Sequence, residues 1–192
     1  MSGHPRADSW LLKIVNWLFG PVPGSQAHVD LFFDTVRLRN EELRKPEGQR
    51  DEARLLQLTK QKLRLEAERH QVIHRQFQAA QLNFLKPPPR ECCTDCVGVR
   101  QRLAAVCRAC AAWYEAASLR ASQQLQMVEE GDSEPAMPLP LFELQLPEGV
   151  PEELPPSLDR CSSCQNLLDH YLAKEQEMRR VMAVSGDNPV KA

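Results

Sequence analysis

Residues 49–85 read "QRDEARLLQLTKQKLRLEAERHQVIHRQFQAAQLNFL". Leu56, Leu63, His70, Phe77 and Phe84 recur at every seventh position, and Leu58, Leu65, Val72 and Ala79 make a second row. Such spacing returns side chains to one side of an α-helix, and no proline or glycine interrupts it. At ~100° per residue the two rows together cover roughly 200° of the helix surface. That is wider than the seam of a two-stranded coiled coil, so the helix is expected to pack against more than one neighbour. Leu56, Leu58, Leu63, Leu65, Val72 and Phe77 are the residues expected to make core or protein-partner contact.

Upstream, residues 26–45 place Val29, Phe32, Phe33, Val36 and Leu43 near helical spacing, and "KPEG" (45–48) breaks that helix. Downstream, "KPPPR" (86–90) is a rigid stop, and the alanine-rich run that follows predicts a helix over about 92–128. A short proline-rich turn between two long helical segments implies an antiparallel pair. The expected fold is therefore all-α: a long, coiled-coil-like antiparallel helical hairpin over residues 26–128, with residues 26–85 set against 92–128.

Composition changes abruptly after Met127. Residues 129–157 hold eight acidic residues, no basic one, and seven prolines, so they are expected to form an acidic proline-rich linker. Its centre, "MPLPLFELQLP" (137–147), carries more leucine than a solvated spacer needs and could lie along the helical core or dock a partner. Residues 158–184 predict a C-terminal helix packing back on the hairpin, with Ser157 as its N-cap. Residues 185–192 are expected to be a flexible tail. At the other end, residues 1–24 form an apolar docking segment around "WLLKIVNWLFG" (10–20), ended by "GPVPG". This run is too short to span a bilayer. Its Trp10, Trp17 and Phe19 are candidates for docking on the protein's own core, a partner groove or a membrane interface.

Five of the seven cysteines stand in "CCTDCVGVRQRLAAVCRAC" (92–110), which pairs one CxxC with another across ten residues. Two CxxC pairs suit a tetrahedral zinc site only when the intervening chain can bring them together. If residues 93–110 form one helix, the pairs stand roughly 21 Å apart and cannot share an ion. Cys93, Cys96, Cys107 and Cys110 then read as small packing residues on one helical face. The metal alternative joins one of these pairs to Cys161 and Cys164 as a structural four-thiolate zinc site, or makes a local module of Cys93, Cys96, Cys107 and Cys110 with the chain unwound near Gly98, in either case with no catalytic role. A redox role for "CSSC" (161–164) lacks the strand-then-helix context of thioredoxin-like enzymes. His70 and His74, four apart, have no third ligand nearby in the sequence and read as interfacial histidines.

The chain carries a net charge of −2. This hides an asymmetry: residues 1–128 hold 19 basic and 13 acidic residues, and residues 129–192 hold 5 and 13. The basic residues are interspersed with acids, which argues against nucleic-acid binding. No nucleophile triad, phosphate loop, paired-carboxylate site or dinucleotide fingerprint is present, so no enzymatic activity is expected. Cysteines in an odd number, with no secretory signal ahead of them, point to a reducing, cytoplasmic setting, with cytoskeletal or membrane-surface association open. The expected role is an intracellular adaptor or scaffold that works through helical protein–protein interaction, self-association included. The alternatives are a zinc-stapled regulatory module and a peripheral membrane adaptor anchored by residues 10–19.

Overall fold

A computed structural model describes residues 22–87, 96–131, 139, 144–148 and 150, together with 162, 165, 166, 169, 173, 175, 176 and 180. The fold is all-α. Among the described residues there are three α-helices, α1 (Gln26–Leu43), α2 (Glu52–Leu85) and α3 (Cys96–Glu130), a 3-10 turn at Glu47–Gln49, and no strand. The described positions between 162 and 180 are all helical, within the expected last helix. There Gln165 Nε2 donates to Asp169 Oδ1, one turn on, at 2.7 Å. None of the helices is long and apolar enough to cross a membrane among the described residues.

Local chemistry sets the helix ends. Ser25 holds an extended backbone at φ −71° and ψ 160°, and its hydroxyl accepts from the His28 N–H, capping α1. Before it, Gly24 takes φ +83°, and a Cβ there would stand 2.7 Å from Val72 Cγ1. Only glycine fits both the backbone angle and the closeness to α2. Asp51 caps α2 by accepting from the Arg54 N–H at 3.0 Å. Gly131, at φ +75°, follows the last residue of α3 in the left-handed conformation that commonly ends a helix.

The contacts divide into two compact units, Met1–Val72 with Ser118–Ala136, and Ile73–Ala117 with Met137–Ala192. The division cuts across the expected hairpin rather than following the changes in composition. In the first unit α1 lies antiparallel on α2. His28 meets Glu68, Phe32 and Phe33 meet Arg69, and Arg39 meets Thr59, so positions rise on one helix as they fall on the other. On another side of α2, the Ser118 hydroxyl of α3 donates to the Ala67 carbonyl at 2.9 Å. Leu58 and Leu65 share a side of α2 with Val72 and Arg69, whereas Leu63 lies ~140° round from Leu58. All three leucines are buried. The helix therefore serves two neighbours, as its wide apolar surface predicts.

The second unit holds an apolar cluster of Phe77 and Phe84 from α2 with Val99, Leu103, Val106, Cys107, Cys110 and Trp113 from α3. His74 Nδ1 donates to the Ala111 carbonyl at 2.8 Å, and Arg100 donates to the Asn83 carbonyl while lying over the Phe84 ring. Again the two helices run antiparallel. Every residue of α3 from Arg102 to Cys107 is buried. A helix enclosed all round needs more than one neighbour. Leu139 and Leu144 from the acidic proline-rich segment pack against the same cluster, and Glu175 pairs with Arg102 at 3.6 Å. Leu139 and Leu144 of the proline-rich segment thus lie against the core, and Glu175 of the C-terminal helical stretch meets α3.

Candidate functional site

The surface of α1 is arranged against expectation. Its fully buried side chains are His28, Thr35 and Glu42, one every seven residues and all polar. The apolar residues Val29, Phe32, Phe33 and Val36 stand ~40–140° round the helix from His28. Val29, Phe32 and Val36 are half-buried, and Phe33 is 57% exposed. Arg69 of α2 reaches over both phenylalanine rings, at 5.5 and 5.7 Å from their centroids. This holds the aromatic pair in place by cation–π attraction without covering it.

Burying polar groups costs stability unless each finds a partner. On α1 each of the three side chains has a partner, and only His28 Nδ1 is buried without one. His28 Nε2 lies 3.1 Å from Glu68 Oε2, and Thr35 Oγ1 donates to the Leu31 carbonyl at 2.7 Å. Glu42 accepts from Lys45 Nζ with both oxygens and from the Asp51 N–H at 2.9 Å. The Lys45 hydrogen bonds, followed by the one from Asp51, hold the Glu42 carboxyl below the usual carboxylate range. Glu42 therefore ties the end of α1 to the start of α2. Apolar periodicity does not reveal this seam, although the His–Thr–Glu spacing of seven does, once polar residues are counted too.

Of the residues expected at a protein interface, Leu58, Leu63, Leu65 and Phe77 are buried within the chain. Val72 is half-buried beside Gly24, and Leu56 is 47% exposed. Among the described residues, the larger exposed apolar side chains in the first unit are Val22, Phe33, Leu56 and Leu119, and in the second Leu82, Leu85 and Val97. Trp10, Trp17 and Phe19 lie outside the described residues.

Of the expected metal ligands, Cys107 and Cys110 are thiols with no solvent exposure, set in the apolar cluster of the second unit. Cys96 begins α3, with its side chain not described, and Cys93, Cys161 and Cys164 lie outside the described residues. Among the described residues no group of three or more His, Cys, Asp and Glu is placed to hold a metal ion. His70 and His74 stand one turn apart on α2, and His74 Nδ1 is committed to the Ala111 carbonyl. No protein-family model matches this chain, and neither a curated protein nor a solved structure shows significant similarity to it.

Proposed function

We propose that the chain is a non-enzymatic, intracellular helical adaptor whose α1 offers an apolar stripe to a protein partner. The observation that carries this reading is the division of labour on α1. Its polar line of His28, Thr35 and Glu42 faces inward, each with at least one hydrogen-bond partner, while Val29, Phe32, Phe33 and Val36 stay half-open beside it. A stripe with residues at i, i+3, i+4 and i+7 matches the recognition of one amphipathic helix by another. Aromatic side chains held by an arginine are also the residue types that anchor interfaces.

Self-association and a separate partner use the same stripe and are told apart by mass. Full-length protein is cross-linked in cells and its complexes recovered, with light scattering of the purified chain over a range of concentrations. Phe33→Glu is expected to abolish the complex, or the dimer, while leaving helix content unchanged and stability within about 0.5 kcal/mol, as for an exposed site. Complexes that survive Phe33→Glu and Val36→Glu alike remove the reading.

A further inference from the structure

The second unit contains a contact of a different kind from helix against helix. Residues 144–147 adopt neither helix nor strand, and a turn closes after them, with the Val150 N–H donating to the Pro147 carbonyl at 3.1 Å. This segment lies on α3. Leu139 and Leu144 rest on the apolar cluster and stay only half-buried, Val150 is buried, and Arg108 Nη2 donates to the Gln145 carbonyl at 2.9 Å.

Three features make this seat a recognition site rather than plain core. Arg108 reads a main-chain carbonyl, which any extended peptide offers, so that bond does not depend on the Gln145 side chain. The two leucines supply side-chain selection five residues apart. Charge adds to this: Arg108 is exposed on α3, and residues 143–153 of the sequence contain four glutamates and no basic residue.

We propose that this seat on α3 recognises extended, acidic, leucine-bearing peptides, and that the chain's own Leu139, residues 144–148 and Val150 occupy it as an internal competitor. A tethered segment acts at a high effective concentration, so even a weak fit closes the seat to free peptide. A partner peptide of the same chemistry binds by displacing the segment, and its apparent affinity falls by the fraction of time the seat stands open. The inference does not depend on the α1 stripe.

The probe is a fluorescent peptide of sequence PLPLFELQLPEGV, titrated into full-length protein and read by anisotropy. A full-length variant with Leu139→Asp and Leu144→Asp, which releases the tethered segment, is expected to bind the peptide about tenfold or more tightly than the wild type does. Adding Arg108→Ala to that variant weakens binding, and a scrambled peptide does not bind. Equal affinity of wild type and double variant, or binding of the scramble, overturns the proposal. Exchange of the segment between two copies would appear as a concentration-dependent dimer of the wild type that the double variant loses, and would also overturn it.

Hydrogen exchange on the wild type gives a test that needs no variant to fold. Amides of Leu144, Gln145, Leu146, Glu148 and Val150 should exchange through local opening, with protection about tenfold or more below that of Leu103 to Cys110. Equal protection would make the segment integral core and refute the proposal.

Discussion

Glu42 is 2% exposed, yet it keeps its charge because Lys45 and the Asp51 N–H converge on its carboxylate. Its folded pKa lies below the unfolded carboxylate value of about 4.3, so its contribution to stability is complete above that value. The contribution fades as pH falls through the lower, folded pKa. Glu42→Gln should therefore be less stable than wild type at neutral pH, and the difference should shrink on acidification below about pH 4.3. Urea midpoints measured from pH 7 to pH 3 check this; a constant difference would mean that hydrogen-bond geometry, not charge, carries the effect. Cys107 and Cys110 pose a question of magnitude. As small apolar residues in a cluster, each should cost about 1 kcal/mol on substitution by alanine, the cost of a methyl-sized void. As ligands of structural zinc, their joint loss would forfeit on the order of 10 kcal/mol and the metal with it. Denaturant melts of the double alanine variant, with and without chelator, alongside elemental analysis of the wild type, tell the two apart. We expect the small cost and no effect of the chelator.

At the scale of the element, α2 illustrates how far periodicity reaches. The two heptad rows placed Leu58, Leu63, Leu65, Phe77 and Phe84 in buried positions, and the structure buries all five. Leu56 heads one of those rows and is exposed, for a reason periodicity does not hold. Ala67 of α2 pairs with Ser118 of α3, so a position eleven residues earlier on α2 falls level with the end of α3, where Gly131 turns the chain away. Leu65→Ala and Leu63→Ala should each cost about 2–5 kcal/mol by leaving a cavity, whereas Leu56→Ala should stay within about 0.5 kcal/mol. Chemical denaturation of the three variants measures this, and a Leu56→Ala cost equal to the others would place a further neighbour over that residue. Helix limits were legible to within four residues, because proline, glycine and capping side chains carry local meaning: α1 stops at Leu43, short of Pro46, and α2 waits for its cap at Asp51. The orientation of α1 was not legible. Apolar residues alone point it with Val29 and Phe32 inward, whereas hydrogen-bond partners supplied by α2 and by the turn, distant in sequence, turn His28, Thr35 and Glu42 inward instead.

At the scale of the whole molecule, composition marks one boundary and packing another. Charge and proline content divide the chain near residue 129, yet Leu139, Leu144 and Glu175 from the acidic part are packed with α3 of the more basic part. The contacts instead separate two units whose limits fall inside α2, after Val72, and inside α3, after Ala117. Both helices continue through these limits without a break, over Glu52–Leu85 and Cys96–Glu130. Interrupting a helix leaves main-chain donors and acceptors without partners, so local melting of one unit must fray the helices of the other. This continuity predicts one cooperative transition. Leu65→Ala in the first unit and Leu103→Ala in the second should each lower the same melting temperature, by about 2–4 °C for every kcal/mol lost. Because the two residues belong to different units, their losses should add to within about 0.5 kcal/mol in the double variant. Calorimetry decides the matter: two resolved transitions, each shifted by only one of the substitutions, would show that the units unfold independently despite their shared helices.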